Sequence, residues 1–357
     1  MKIAFVVGTR PNFVKVAPLI SACKKIGIEY VLIHTGQHYD YEMSQAFFED
    51  LKIPKPDVNL NVNSKVPKDL KKITSEKISN YLKKIKPDLT VVVGDSDATC
   101  AGAMGANLAK IKLAHVEAGL RSFYMSMPEE CNRLYIDKVA NYLFVTERSG
   151  LKNLKDAKAK GKVFFVGNVM IDTLIENLEK ISSRKNKFSK NSYAIATLHR
   201  KSNVNEVGDL RESLEILNYV ADKYIKIVLP IHPRTRTNIL NEKLKLSKNI
   251  EVIEPLGYLS FQKLLMDCRF VLTDSGGLQD ETTYYKIPCI TMRENTERPI
   301  TYRIGSSVLV GRNKKLVVKN VKKVLEGKFK KGKVPKFWDG KSSEKIIKIL
   351  KNDFENG

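Results

Sequence analysis

Charged side chains directly follow two apolar, β-branched runs in the first half of the chain. Arg10 and Lys15 come after IAFVVG, and Asp95 ends LTVVVGD. Two cations at a strand-to-helix turn suit an anionic group. An aspartate at the end of a buried strand is costly unless it serves a site or caps the next helix, and Ser96 and Asp97 fit the capping role better. These positions therefore indicate a binding site with a carboxylate in it.

The segments HVEAGLRS and MPEECNR add further carboxylates. His115 and Glu117 are two residues apart in a predicted strand and would share one face. Glu130 lies in the first turn of a helix that Pro128 opens, where an acidic residue also compensates the helix dipole. If Asp95, Glu117 and Glu130 converge, their pKa values separate and the cluster supplies acid and base roles.

A phosphate-binding pattern, TDSGGLQDE, stands in the second half of the chain. Ser275, Gly276 and Gly277 follow a predicted strand and open a helix, so their backbone N–H groups can approach a phosphate closely. Glu281 follows within that helix. Its carboxylate would repel phosphate but could bind a vicinal diol such as that of a ribose. His199 ends the strand YAIATLH and is suited to phosphate contact or proton transfer.

The elements that must position these residues alternate in type. Continuous apolar strands separated by helical stretches are typical of parallel sheets covered on both faces. At roughly 100–200 residues per domain, 357 residues suggest two or three domains. Two similar sets of strands, separated by the polar segment 177–192, favour two doubly wound domains over one eight-stranded barrel. In the first half the predicted strands are IAFVVG, YVLIHT, LTVVVGD, KLAHVEAG, YLFVT and VFFVG.

The charge balance is strongly basic, with 62 Lys and Arg against 39 Asp and Glu and a net charge of +23. Such a chain could meet nucleic acid, an anionic surface or a small anionic ligand. It has no RNP-like, zinc-finger or helix-turn-helix signature. We therefore expect no nucleic-acid partner and keep a nucleic-acid-binding protein as the alternative from a different class.

Other patterns exclude several kinds of protein. The five cysteines form no CxxC pair, which argues against structural zinc and a disulfide framework, and we expect no metal site. The turn after the first strand lacks G-x-G-x-x-G, the nicotinamide-dinucleotide fingerprint. No run approaches the ~18 apolar residues of a membrane span, and Arg10 interrupts the N-terminal apolar run too early for a signal peptide. We expect a cytoplasmic protein with no membrane partner.

From about residue 3 to residue 311 the chain resembles the non-hydrolysing UDP-N-acetylglucosamine 2-epimerases. The motifs that carry the resemblance occur in the family's order: GTRPNFVKVAPL, TGQH, GDSDAT, HVEAGLRS, MPEECNR, VGNVMIDTL, TLHR, IHPRTR, TDSGGLQDE and ENTERP. The resemblance implies two Rossmann-like domains of the glycosyltransferase-B type with a cleft between them. On this basis the expected parts are an N-terminal domain over 1–168 with the catalytic carboxylates, a UDP-binding domain over 169–337, and a C-terminal helix over 338–357 that crosses back to the first domain.

The same resemblance implies reversible conversion of UDP-GlcNAc to UDP-ManNAc by a homodimer that needs no cofactor. The implied catalytic residues are Asp95, Glu117, Glu130 and His199. The implied substrate-binding residues are Arg10, Lys15, Leu256, Phe261, Ser275, Gly276, Gly277, Glu281 and Arg298, with Phe261 and Leu256 at the uracil pocket, Glu281 at the ribose and the Ser-Gly-Gly turn at the diphosphate. The stretch after TGQH, Tyr39 to Glu42, departs from the pattern that holds a second, activating UDP-GlcNAc in some members.

The chemistry fits these residues. The C2 proton of the sugar is not next to a carbonyl, so simple deprotonation is prohibitive. A route through transient oxidation would need a nicotinamide cofactor, whose sequence fingerprint is missing after the first strand. The remaining route eliminates UDP across C1–C2 to a 2-acetamidoglucal and adds it back. That route needs acid and base groups near C2, charge stabilisation for the departing diphosphate and a closed site. A UDP-sugar glycosyltransferase of the same fold is the alternative enzyme, and it would need an acceptor site instead of a carboxylate cluster.

Overall fold

The computed structural model describes residues 1–36, 47–62, 69–198, 207–231 and 233–356. These residues divide into two compact units. The first consists of Met1–Asn177 together with Lys336–Gly357, and the second of Leu178–Pro335. None of the helices in the described ranges has both the length and the apolar character needed to cross a membrane.

The first unit is built on a seven-stranded sheet in which all neighbouring strands are parallel. Its strands are β1 (Lys2–Val7), β2 (Glu29–His34), β3 (Val58–Asn59), β4 (Leu89–Val93), β5 (Lys112–Ala118), β6 (Tyr142–Val145) and β7 (Lys162–Phe165), in the spatial order β3-β2-β1-β4-β5-β6-β7. The chain builds outward from β1 in one direction and then returns to build from β4 in the other. The gap between the ends of β1 and β4 is therefore a topological switch point, where ligands of such sheets bind.

Helices cover this sheet. They are α1 (Arg10–Ile26), α2 (Leu70–Ile85), α3 (Asp97–Ala109), α4 (Pro128–Val139), α5 (Arg148–Asp156), α6 (Val169–Glu176) and, after the second unit, α14 (Ser342–Glu355). Because helices lie on both faces, β4 is buried at every position and β1 at all but its first. Ser96 accepts a hydrogen bond from the Thr99 amide at 3.2 Å and caps α3, as its position after the strand suggested.

The second unit repeats the plan with six parallel strands. They are β8 (Tyr193–Thr197), β9 (Lys226–Pro230), β10 (Ile250–Ile253), β11 (Val271–Thr273), β12 (Cys289–Thr291) and β13 (Ser307–Leu309), in the order β10-β9-β8-β11-β12-β13. The helices are α7 (Leu178–Ser183), α8 (Val207–Lys223), α9 (Pro233–Asn241), α10 (Tyr258–Asp267), α11 (Gly276–Tyr285), α12 (Pro299–Arg303) and α13 (Lys314–Leu325). The predicted α/β class with two doubly wound sheets is confirmed.

Helix α14 belongs to the first unit. Its buried residues Ile346, Ile347 and Leu350 form an apolar stripe, and the helix packs against α1 and α6. Asp172 on α6 accepts hydrogen bonds from the Ser343 amide at 2.6 Å and hydroxyl at 2.8 Å, and so holds the start of α14. Because α6 also packs on α1, residues 169–177 lie in the first unit, whereas the UDP-binding domain expected from the resemblance starts at residue 169.

Candidate active site

A buried ion pair joins α1 to the end of β5. The Lys15 ammonium donates a hydrogen bond to Oε2 of Glu117, and the two residues are 4% and 2% exposed. Gly94, which follows β4, lies beside both. A Cβ atom at residue 94 would stand 2.5 Å from Lys15 Nζ and 3.3 Å from Glu117 Oε2, and the φ of Gly94 is +75°. Both the backbone and the space beside this pair therefore require glycine.

The backbone at Glu117 departs from regular strand geometry. Its φ is +73°, and the register of β5 against β6 shifts between Val116 and Ala118. A bulge of this kind re-aims a side chain and is common beside active sites. The expectation that His115 and Glu117 share a face by simple alternation is therefore wrong. Both nevertheless lie beside Gly94, because His115 Nε2 is 2.9 Å from the Gly94 carbonyl oxygen.

Asp95 is held by a buried arginine. Arg133 on α4 is 1% exposed, and its Nη1 donates to Oδ2 of Asp95. The Asp95 side chain remains 30% exposed. The Asp95 carboxylate is thus accessible to solvent, while the Glu117 carboxylate is enclosed.

Glu130 lies behind Arg133. Its Oε2 accepts from Arg133 Nε at 3.1 Å and Nη2 at 2.7 Å, and from the Ser122 amide at 2.9 Å and hydroxyl at 2.8 Å. Burial alone would raise the pKa of Glu130, but the hydrogen bonds from Ser122 and the charge of Arg133 outweigh it and hold the pKa below its ordinary value. In this structure Glu130 is an ionised carboxylate joined to Asp95 through Arg133.

Asn12 ties the two sides of the switch point together. Its Oδ1 accepts from the amides of Gly8 at 3.2 Å and Thr9 at 3.1 Å, after β1, and its Nδ2 donates to the Val93 carbonyl oxygen of β4 at 3.0 Å. Arg10, the first residue of α1, is half-buried, with its guanidinium 5.8 Å from the centre of the Phe47 ring. Neither Asn12 nor Arg133 was singled out from the sequence.

In the second unit the Ser-Gly-Gly turn opens α11, next to the end of β11. Ser275 is the N-cap residue and accepts from the Leu278 amide at 3.4 Å. Ser275, Gly276 and Gly277 keep part of their surface exposed. A Cβ atom at residue 276 would stand 2.4 Å from Oε1 of Glu297, so this glycine allows the ENTERP segment to pack against the turn.

Arg298 of that segment is fixed by buried partners. Its Nη1 donates to Oδ2 of Asp280 at 2.5 Å, while Glu297 accepts from Arg293 Nη2 at 2.7 Å. Gln279 accepts from the Thr296 hydroxyl at 3.0 Å and so joins the segment to α11. The structure therefore brings Arg298 to the same helix that carries the Ser-Gly-Gly turn and Glu281.

Glu281 is 6% exposed. Burial raises its pKa to about 7, although the polar side chain of Gln262 lowers the pKa in part. Gln262 lies on α10, one residue after Phe261. Phe261 and Leu256 are half-buried and pack against the apolar cluster that contains Leu264, Leu265 and Leu278. The second unit thus places a carboxyl group and an aromatic side chain on adjoining helices.

Two parts of the predicted site lie outside the described residues. These are His199 and the stretch from Tyr39 to Glu42 after TGQH. Within the described ranges, no group of three or more His, Cys, Asp and Glu side chains is arranged to hold a metal ion.

Comparison with known proteins agrees with the motifs. The family model described as UDP-N-acetylglucosamine 2-epimerase matches residues 21–351. The UDP-N-acetylglucosamine 2-epimerase of Methanocaldococcus jannaschii is 40% identical over 363 residues, covering 98% of this chain and 99% of the relative. The crystal structure of that organism's UDP-GlcNAc 2-epimerase in complex with UDP-GlcNAc and UDP superposes with a TM-score of 0.88, at 38% identity, over 99% of this chain and 100% of the other.

A relative with a different named substrate is similar at nearly the same level. The UDP-2,3-diacetamido-2,3-dideoxy-D-glucuronate 2-epimerase of Pseudomonas aeruginosa is 37% identical over 354 residues, covering 98% of this chain and 99% of the relative. The two named substrates share the UDP group and the C2 position of reaction, and they differ at C3 and C6 of the sugar.

Proposed function

The chain belongs to the UDP-N-acetylglucosamine 2-epimerase family, as its motifs indicated, and we propose that it interconverts UDP-GlcNAc and UDP-ManNAc by eliminating UDP and adding it back. The observation that carries this proposal is the pair of carboxylates at the carboxyl ends of two neighbouring strands of the first sheet, Asp95 just after β4 and Glu117 near the end of β5. Asp95 is held by Arg133, and Glu117 is held by Lys15. Two carboxylates in different surroundings suit a reaction that removes a proton from one face of C2 and delivers one to the other.

The reaction has two halves. In the first, a base takes the C2 proton, the C1–O bond to UDP breaks with its electron pair leaving on the diphosphate, and a C1=C2 double bond forms in the 2-acetamidoglucal. In the second, a diphosphate oxygen of UDP bonds to C1 again and an acid delivers a proton to the opposite face of C2. The net reaction inverts C2 and consumes nothing, so no cofactor takes part in the balance.

The first unit supplies the acid–base chemistry in this proposal. We assign proton transfer to Asp95 and Glu117, with Glu130 positioning Asp95 through Arg133. Arg10 stands at the N-terminus of α1, where a cation and helix N–H groups favour an anion. The proposed catalytic role of His199 rests on the resemblance to the family alone.

The second unit supplies nucleotide binding. We assign the diphosphate to Ser275, Gly276 and Gly277, because the N-terminus of α11 presents backbone N–H groups there. Glu281 suits the ribose diol, and Arg298 the charged part of the ligand. Leu256 and Phe261 offer apolar surface for the uracil ring. We also expect a homodimer, which light scattering of the purified protein tests.

A proton NMR time course in heavy water with UDP-GlcNAc alone tests the function. We expect deuterium at C2 and the signals of UDP-ManNAc, with the same rate after exhaustive treatment with a chelator. Release of free ManNAc and UDP would indicate a hydrolysing epimerase. Sugar transfer only after an acceptor is added, with no deuterium at C2, would indicate a glycosyltransferase. Both of these outcomes overturn the proposal.

The substrate named for the relative from Pseudomonas aeruginosa raises the question of which sugar this chain prefers, and the same assay answers it. A parallel reaction with UDP-2,3-diacetamido-2,3-dideoxy-D-glucuronate measures kcat/KM for the alternative substrate. We expect UDP-GlcNAc to be preferred by at least tenfold, about 1.4 kcal/mol in transition-state binding. A preference for the diacetamido sugar would keep the reaction and change the substrate.

A further inference from the structure

His115 is fully buried and faces an acceptor on each side of its ring. Its Nε2 is 2.9 Å from the carbonyl oxygen of Gly94, and its Nδ1 is 2.7 Å from Oδ1 of Asp137. The ring therefore joins the backbone of the turn after β4 to a side chain of α4.

The surroundings of Asp137 favour the ionised form. Its Oδ2 accepts from Arg121 Nη1 at 2.7 Å and from the Gly119 amide at 3.0 Å. Burial acts to raise the pKa of Asp137, but the hydrogen bond and charge of His115 and the charge of Arg121 outweigh it and lower the pKa. Asp137 is thus held at both oxygens, at Oδ1 by His115 and at Oδ2 by Arg121 and the Gly119 amide.

This pair holds two backbone positions that flank the proposed catalytic carboxylates. His115 fixes the peptide oxygen of Gly94, directly before Asp95, and Asp137 fixes the amide of Gly119, two residues after Glu117. Gly94 itself donates its amide to the Val116 carbonyl oxygen at 3.0 Å. The turn after β4 and the bulge in β5 are therefore joined through one His–Asp pair.

We propose that His115, held by Asp137, is a positioning residue that sets the placement of Asp95 relative to the Lys15–Glu117 pair. It does not touch substrate in this proposal. It acts by fixing the Gly94 peptide, beside which Lys15 and Glu117 lie. The role in turnover rests on the proposed epimerase function, whereas the two contacts of the ring do not.

Backbone amide NMR tests these contacts without any assay of activity. His115 contacts the peptide oxygen of Gly94, directly before Asp95, and Asp137 accepts from the Gly119 amide. We expect His115→Gln to shift the amide signals of Asp95 and Gly119. Unchanged signals of both amides in the folded variant would overturn the proposal, and this measurement does not need the variant to be active.

Kinetics test the positioning role. We expect His115→Gln and Asp137→Asn each to lower kcat at least tenfold while the Kd for UDP stays within about twofold, because the nucleotide is assigned to the second unit. Ile136→Ala is the matched control, since Ile136 is fully buried on the same helix as Asp137. It should lower the melting temperature and leave kcat within about twofold.

The results separate this inference from the proposed function. Folded His115→Gln with wild-type kcat would overturn the positioning role. A wild-type protein with no C2 exchange would overturn the epimerase proposal, and the amide signals would still decide whether His115 holds the two backbone positions. If His115→Gln does not fold, the same measurements on Asp137→Asn decide.

Discussion

Lys15 and Glu117 form an ion pair that is almost completely buried, and Gly94 closes the space beside both of their charged atoms. Taking two charges out of water costs several kcal/mol per ion, which close pairing offsets. The Glu117 backbone also adopts a left-handed φ that most residues avoid. Strain and buried charge coincide at this point of the sheet, as is common at functional sites, and the pair lies beside Gly94, the residue directly before Asp95.

Gly94→Ala should lower kcat by about 10²-fold, because a Cβ 2.5 Å from Lys15 Nζ must displace the lysine, and misplacement of about 1 Å has this effect. The control is Gly27→Ala. Gly27 has a similar φ of +77°, but a Cβ atom added there would meet nothing within 4 Å. The Gly27→Ala variant should lose about 1–2 kcal/mol of stability from the left-handed backbone alone and keep wild-type kcat. Equal kinetics of the two variants would argue against a role for the space beside the ion pair.

Glu117→Gln and Asp95→Asn should each reduce turnover by about 10²-fold or more, the usual scale for a positioned acid or base. Titration calorimetry should show that UDP still binds. Asp172→Asn is the control for loss of a buried carboxylate, because Asp172 holds α14 and contacts neither residue. The Asp172→Asn variant should lower the melting temperature and leave turnover unchanged. Near-normal turnover in either site variant would remove that residue from the catalytic set.

Glu130→Gln should destabilise the protein by about 3 kcal/mol, because it leaves Arg133 buried beside a neutral group. It should also lower kcat, since Arg133 then holds Asp95 less firmly. The neighbouring Glu129 is exposed, and Glu129→Gln should change stability by no more than about 0.5 kcal/mol. Denaturant unfolding of both variants measures the change in stability, and steady-state kinetics measure the change in kcat. Identical behaviour of the two variants would contradict a positioning role for Glu130.

Affinity for UDP-GlcNAc should rise with pH up to neutrality. Burial raises the pKa of Glu281 to about 7, and the ionised form is the better acceptor for a ribose diol. Below pH 7 the Kd should increase up to about tenfold per pH unit, measured in the Asp95→Asn variant to prevent turnover. A raised pKa means that the folded state binds the proton more tightly than the unfolded chain, so this group's contribution to stability falls as pH rises from about 4.3 to 7. Glu281→Gln should abolish both dependences, and an unchanged pH profile in that variant would refute the assignment.

Patterns that are local in the chain predicted most of the fold. Apolar runs located β1, β2 and β4 to β7, and the Ser-Gly-Gly turn located the start of α11, because strand burial and helix capping depend on adjacent residues. The strand β3, Val58–Asn59, was missed because two residues carry no periodicity. The left-handed Glu117 was also missed, since nothing in its type indicates that backbone conformation.

The partners of the site residues could not be predicted in the same way. Arg133 is 38 residues from Asp95, and Asp137 is 22 residues from His115. Asn12 reaches Val93 across 81 residues. Each contact arises from the order of strands in the sheet, and no spacing along the chain encodes it. From the sequence, Glu130 was visible as an acidic residue in the first turn of a helix, and Arg10 and Lys15 as cations at a strand-to-helix turn, but their partners were not.

The attachment of α14 has a consequence for biosynthesis. The ribosome makes residues 1–177 first, but the apolar stripe of Ile346, Ile347 and Leu350 that packs against α1 emerges only after the whole of the second unit. Domains generally fold as units during synthesis, so the second unit can reach its native state from one continuous stretch of chain. One side of α1 in the first unit instead stays exposed until α14 has been synthesised. A chaperone that shields apolar surface on nascent chains would bind at this exposed side.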